Sequence, residues 1–574
     1  MPLDSRPAER HLLRRYRVPL AIGIIFIAIM AMRFIHLDAD SPLDLDWSGG
    51  YFGDEMALAH NARNKVLFGE WTSDEWNPYI YSPLLTILEY AFFSVLGVGL
   101  VPLRLVNIFV LFLGFWLLLL TLRRERDWPT AILALGLLGF NYIFLIYNRI
   151  GLNDTFLVFP MLLTLYFWHR GLEKAPYLVL AGVSAFICYT TKATALYFTL
   201  AAALSLIWAI VQKVREAGGL KKGLLSLGFF LGGLGLSSLA WYGFFFLPNR
   251  ERFNSAAQDW IGLAMPENLG RYWRNVTSPQ ILKYFSLSPI ELLVGLSFML
   301  WLLLTLLKDW KKIKPLEVFL SLWLLGGYLS IDGLNYHPLR YDVPLLPPLI
   351  ILTVLLLSKI WNWSASGKFN LKEVLTKGWP FIIWILFVTK LSLGFTKLVI
   401  GISVFLALVS IFMLVLLSKP RLLGLAMGNS DRDRCTRRLL RSAVAGIVGF
   451  SLVIQGVQYC RWVRRPDYTV RNTSRELGRM PGENLLIAGL WAPLATIENR
   501  HRSLYLGKNW FNYRKTFSRY PVTHLFLWDG NNQEELRFLM ERYPTIMERA
   551  VLLKIYNINR FPVRFYKINL SKKE

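Results

Sequence analysis

Cysteine is nearly absent. Of the three in the chain, Cys188 and Cys460 lie in or beside apolar runs and Cys435 in a basic loop. That number and scatter exclude a disulfide framework or a thiolate metal site. Histidine is almost as scarce: seven residues, with no His-x-His or His-x-x-x-His spacing, give no intrinsic zinc site. A divalent ion held by carboxylates stays open. Acidic side chains are outnumbered, 38 against 64 Lys and Arg. In a soluble protein a formal charge of +26 points to nucleic acid, but here 54% of the residues are hydrophobic and the bases cluster in short loops between apolar runs. The composition is that of a polytopic membrane protein obeying the positive-inside rule, with no call for nucleic acid. No small-residue cleavage site follows Ile35, so the basic stretch 1–17 and the apolar run after it read as a retained signal anchor. Matching halves are missing too, which weighs against a transporter or lipid flippase built from repeats.

What is present is a succession of apolar runs. The first, Val18 to Ile35, follows Arg6, Arg10, Arg14, Arg15 and Arg17, which places the amino terminus in the cytoplasm. The loop after it lies outside and is rich in acids. Leu84 to Leu96 is short for a span and carries Glu89, so it reads as interfacial. The next span, 102–122, then runs inward and lands Arg123, Arg124 and Arg126 in the cytoplasm. Further spans are expected at 129–147, 152–168, 176–190, 194–212, 223–247, 288–307, 316–331, 343–359, 379–395, 398–418 and 442–460, making about thirteen. The organisation is a cytoplasmic segment 1–17, a transmembrane domain 18–460 whose external loop 36–101 carries juxtamembrane helices, and an extracytoplasmic tail 461–574. In the tail, 485–489, 503–506, 524–528 and 551–557 read as strands and 532–542 as an amphipathic helix, a small α/β domain. Its excess of bases suits either anionic lipid heads or a solvated surface.

On this topology Asp54, Glu55, Arg149, Asp154, Lys192, His337, Arg340 and Asp342 fall at span ends on one face of the membrane. Ionisable groups gathered that way are a site hypothesis. Bland readings stand beside it: Asp54 and Glu55 as acids favouring a helix amino terminus, each cation as a snorkelling or ion-paired side chain, and Trp47, Tyr51, Trp71, Trp76, Tyr79 and Tyr81 as an interfacial aromatic belt.

Several stretches carry a family resemblance. Asp54-Glu55 follows the first span. Trp76-Asn77-Pro78-Tyr79-Ile80-Tyr81-Ser82-Pro83-Leu84-Leu85 leads into the interfacial helix, Pro102-Leu103-Arg104-Leu105 opens a span, and Arg340-Tyr341-Asp342-Val343-Pro344-Leu345-Leu346-Pro347 opens a later one. With Arg149, Asp154 and Thr191-Lys192 at turns, this order resembles the GT-C membrane glycosyltransferases that use polyprenyl-phosphate sugars. The likeness is to the group of 4-amino-4-deoxy-L-arabinose lipid A transferases and protein O-mannosyltransferases, over residues 18–360. The chain departs from both in placing Asn77 before Pro78, where those families have Lys or His. It also lacks a counterpart of the mannosyltransferase luminal domain, which argues against protein O-mannosylation as such.

The resemblance implies an all-α GT-C membrane domain and an inverting glycosyltransferase of the plasma membrane. Such an enzyme moves a sugar from a polyprenyl-phosphate donor to a lipid, glycan or protein acceptor outside. Asp54 becomes the base for the acceptor hydroxyl, with Glu55 and Asp154 orienting acceptor or base. Arg149, Lys192 and Arg340 are the phosphate ligands, and Tyr81, His337 and Tyr341 the substrate contacts. Elementary chemistry asks for the same groups. A lipid phosphate is already an anionic leaving group, so transfer needs cations for the phosphate and a base for the nucleophile. A glycan ligase or polymerase using a lipid diphosphate donor shares most of the topology and is the nearest alternative.

Overall fold

The computed structural model describes residues 6–45, 51–217, 219–277, 287–365, 429–481, 485–508, 511–528 and 534–569. Among the described residues six helices are long and apolar enough to cross a membrane: Leu100–Glu125, Ala193–Arg215, Leu220–Asn254, Pro289–Lys312, Leu339–Asn362 and Arg441–Val463. Shorter apolar helices accompany them at Val18–Phe34, Pro83–Leu96, Trp128–Phe140 and Tyr177–Thr191. The protein is a multi-pass membrane protein. The expected spans 379–395 and 398–418 lie outside the described residues.

One expected span is broken. The run 129–147 forms two helices, Trp128–Phe140 and Tyr142–Tyr147, parted by Asn141 with ψ 121°. The Asn141 side chain explains the break: its oxygen accepts from Phe144 N at 3.0 Å and its amide donates to Ser288 Oγ at 2.6 Å. A short amide that caps the next helix competes with continuation of the previous one.

Charged side chains collect at both ends of the bundle. At one end Glu125 meets His169 at 3.1 Å and Lys314 at 2.9 Å, while Glu317 meets Arg126 at 2.9 Å and Lys359 at 2.8 Å. At the other end stand Arg104, Asp154, Lys192 and Arg340. The helix Leu100–Glu125 reaches both sets, with Arg104 in its first turns and Glu125 in its last.

The tail folds as a five-stranded sheet in the order β2-β1-β3-β5-β4, with β1 Leu486–Gly489, β2 Arg502–Tyr505, β3 His524–Trp528, β4 Ala550–Ile558 and β5 Phe561–Ile568. Strand β1 pairs parallel with β2 and β3, and β5 runs antiparallel to both β3 and β4. The first four strands sit where the hydrophobic pattern placed them. Strand β5 adds to the four expected strands, its apolar run being interrupted by Pro562 and Arg564. It forms because Asn559 and Arg560, both at positive φ (44° and 74°), close a two-residue hairpin whose twist suits paired strands.

The sheet domain is tied to the loop after the first helix. Asp40 caps the helix Thr469–Leu477 from 429 residues away, accepting from Thr469 N at 2.7 Å and Val470 N at 3.2 Å. The buried Arg63 guanidinium donates to the carbonyls of Thr496 (3.2 Å), Asn499 (2.9 Å) and His501 (2.6 Å). Losing the cap in Asp40→Ala is expected to cost about 1–2 kcal/mol, read as a lower thermal midpoint, with most of it recovered by Asp40→Asn.

Candidate active site

Asp54 and Glu55 are neighbours on the helix Tyr51–Leu58, and successive side chains on a helix point about 100° apart. The two side chains can therefore sit in different surroundings. Glu55 faces in, where its two oxygens take Arg104 Nε and Nη2 at 2.8 Å each and the Gly151 amide donates to it at 2.9 Å. Both charged side chains are 2% exposed. Arg104 spends its remaining nitrogen on the carbonyls of Leu37 (2.8 Å) and Ala39 (2.6 Å). Position 151 has to be glycine, because a Cβ there would stand 2.7 Å from Leu103 Cγ and 3.3 Å from Glu55 Cγ. This bidentate pair fixes the helix to the span beginning at Leu100.

Asp54 points away from that pair, and its carboxylate is 33% exposed. Arg340 Nη2 donates to it at 2.5 Å, and Arg340 Nε lies 3.9 Å from Asp154. Asp154 in turn pairs with Lys192. Beneath the two cations lies the Tyr341 ring, 3.1 Å from Lys192 Nζ and 5.5 Å from Arg340 Cζ, centroid to atom. Arg340 and Asp154 are 4% and 2% exposed and Lys192 12%, so Asp54 is the open member of an otherwise enclosed cluster. Burial pushes the Lys192 ammonium down to about 8, against the opposing pull of Asp154.

The structure thus gathers Asp54, Asp154, Lys192, Arg340 and Tyr341. Arg149 is held elsewhere: its guanidinium donates to the carbonyls of Arg33 (3.0 Å) and His36 and lies 4.2 Å over the Trp462 ring. His337 stands 3.7 Å from Asp332. Tyr81 turns its hydroxyl toward Arg252 O at 3.4 Å and joins an aromatic group around Trp76. Among the described residues no group of three or more His, Cys, Asp and Glu side chains gathers to hold a metal. Each carboxylate of the cluster has a cation beside it.

Residues 81–241 match the family model described as dolichyl-phosphate-mannose-protein mannosyltransferase. The crystal structure of ArnT from Cupriavidus metallidurans, bound to undecaprenyl phosphate, superposes with a TM-score of 0.55 at 14% identity, over 96% of this chain and 98% of that one. The fold is that of the GT-C glycosyltransferases. Two other solved structures of GT-C proteins are similar at lower scores. They are the arabinosyltransferase EmbB from Mycobacterium smegmatis (TM-score 0.44, 12% identity, 77% of this chain and 41% of that one) and the archaeal oligosaccharyltransferase AglB from Archaeoglobus fulgidus (0.46, 9%, 97% and 75%). No curated protein matches the chain.

Two further residues shape the site without belonging to the cluster. Arg104 opens an apolar span, where a buried guanidinium needs acceptors, either a carboxylate or backbone carbonyls, and here it takes both. Trp491, from the sheet domain, presses on Gly53, where a Cβ would stand 3.0 Å from its Cδ1. No local pattern could have linked residues so distant in the chain.

Proposed function

We propose that this chain is an inverting glycosyltransferase that moves one sugar from a polyprenyl-phosphate donor to an acceptor hydroxyl at the external face of the plasma membrane. The observation that carries this reading is the half-open Asp54 carboxylate at the mouth of an enclosed cluster holding Arg340 and Lys192. In the reaction the acceptor oxygen attacks the sugar's anomeric carbon as its proton passes to Asp54. The bond from that carbon to the phosphate oxygen breaks, and its electron pair leaves with the lipid phosphate. Arg340 and Lys192 hold the charge that develops there. Arg340 has to exchange Asp54 for the phosphate as the donor arrives, which frees the carboxylate to act as base. One displacement with one base inverts the anomeric centre, since it forms no covalent carboxylate intermediate.

Support for a lipid-phosphate donor comes from the fold shared with ArnT, crystallised with undecaprenyl phosphate, and from the mannosyltransferase match over residues 81–241. Support for the external face comes from the basic loops at the far end of the bundle, which the positive-inside rule assigns to the cytoplasm. The amino terminus then lies in the cytoplasm and the sheet domain outside. Arg149 serves as a tie between the first helix and the Trp462 helix, and Glu55 acts on catalysis only by placing Asp54. Incubation of the purified protein with polyprenyl-phosphate sugars and cell-envelope acceptors tests the reading. Sugar transfer with inversion supports it, whereas lipid scrambling in proteoliposomes without any glycosylated product overturns it.

The Lys192 environment gives a pH dependence. The ammonium loses its charge as pH rises through about 8, so affinity for undecaprenyl phosphate is expected to fall above that pH, by up to about tenfold per unit. Lys192→Arg keeps its charge and is expected to flatten the profile, as measured by lipid binding in nanodiscs.

A further inference from the structure

A helix interrupted inside the bilayer leaves backbone groups without partners, and lipid offers none, so side chains from elsewhere in the bundle have to meet them. The break at Asn141 is met from two sides. Tyr142 N, which an unbroken helix would aim at the carbonyl of Leu138, donates to Gln455 Oε1 at 2.7 Å. Before the break, Gly139 O accepts from Arg33 Nη1 at 3.0 Å. Gln455 is 2% exposed and belongs to the last long helix, Asn429–Val463. Its amide nitrogen donates to Leu287 O at 3.1 Å and Ser288 Oγ at 3.2 Å, and the same hydroxyl takes the Asn141 amide. One side chain thus ties together the break, the start of the helix Pro289–Asp309 and the last span.

The short helix Tyr142–Tyr147 that starts at this break supports the ion cluster. Every residue in it is buried, and it packs against the turn Leu339–Leu345 that carries Arg340. Its last carbonyl, Tyr147 O, accepts at 3.0 Å from Thr155 Oγ1, on the residue next to Asp154. Arg340 and Asp154 are therefore both braced on a helix whose first amide is held by the last span. Resting on the glycosyltransferase reading, we propose that Gln455 is a positioning residue: by holding Tyr142 N it sets where the short helix begins, and so keeps Asp154 against Lys192 and Arg340. It touches no substrate. A polar knot that only stabilised the bundle would change the melting temperature and leave the cluster as it was.

The test compares the full chain in nanodiscs with Gln455→Met, which keeps the length of the side chain and removes its polar atoms, and with Ser451→Ala. Ser451 lies one turn earlier on the same helix and donates to Glu291 of the helix Pro289–Asp309, so its loss loosens the same pair of helices without touching the break. Both variants are expected to melt at a lower temperature. Only Gln455→Met is expected to lower the saturating transfer rate, by about ten- to a hundredfold, the scale of a slightly misplaced site. It is also expected to move the alkaline fall in undecaprenyl phosphate affinity to lower pH, by about one pH unit. The sign follows from the groups that face Lys192: burial and Arg340 work against its charge, Asp154 and then Asp54 favour it, and withdrawing Asp154 weakens the hold on the proton. Ser288→Ala removes only the hydroxyl shared by Asn141 and Gln455, and is expected to move rate and profile the same way by a smaller amount. A rate and pH profile unmoved in Gln455→Met, or moved as far by Ser451→Ala, overturn the proposal. If Gln455→Met does not fold, a Ser288→Ala protein with the rate and profile of the parent overturns it. A parent protein that binds undecaprenyl phosphate at no pH, or an Asp54→Asn protein as active as the parent, overturns the underlying reading instead.

Discussion

Asp54→Asn is expected to lower the sugar-transfer rate by about 10²–10⁴, the usual contribution of a positioned general base, with little change in stability. The replacement keeps the shape of the side chain and removes its ability to take a proton. Its site is the open mouth of the cluster, and Arg340 keeps a contact with Tyr336 Oη at 3.3 Å and its approach to Asp154, so the cluster stays assembled. Donor binding is expected to hold or tighten, because the amide no longer competes with the phosphate for the guanidinium. A rate loss with undiminished binding marks a group that acts in the transition state. The measurement is single-turnover transfer beside undecaprenyl phosphate binding on the same preparations.

Arg104→Ala is expected to have the largest effect on stability, about 3–5 kcal/mol, because it strands the buried Glu55 carboxylate without its cation. The two carbonyls that Arg104 serves, those of Leu37 and Ala39, lose their donor as well. Glu55→Ala is expected to cost a similar amount by stranding the guanidinium. The double variant Glu55→Met with Arg104→Met removes both charges at once and is expected to regain a large part of the loss, since a buried pair is hard to break and easier to replace. Thermal unfolding in detergent gives the three values. Activity is expected to follow stability in this series, as befits a pair that places the Asp54 helix and touches no substrate. In Asp54→Asn the two part company.

Much of this arrangement was legible in the sequence because membrane proteins write it in coarse signals. Apolar length placed the helices Leu100–Glu125, Pro289–Asp309 and Pro315–Asp332 close to the expected runs 102–122, 288–307 and 316–331, within three residues at each end. Charge at span ends picked out Asp54, Asp154, Lys192 and Arg340, which do come together. What stayed hidden depended on direction and on distance along the chain. Periodicity says that Asp54 and Glu55 diverge but not which of them turns inward, and the Arg104 partner settles that only in three dimensions. Arg149 lies five positions before Asp154, yet the carbonyls of Arg33 and His36 at the end of the first helix claim it. Asn141 breaks a span whose hydropathy is unbroken. The contacts of Trp491 and Tyr505 with the Asp54 helix join residues more than four hundred positions apart, beyond any local pattern.

On the proposed mechanism the lipid phosphate lies between Arg340 and Lys192, beside Asp54. A cryo-EM map of the protein in nanodiscs loaded with undecaprenyl phosphate tests it most directly. Phosphate density is expected within hydrogen-bonding reach of both cations, with the Arg340 guanidinium turned from Asp54 toward it. Phosphate density at the opposite end of the bundle, beside Glu125 and Glu317, or at the sheet-domain end with Arg340 still clasping Asp54, contradicts it.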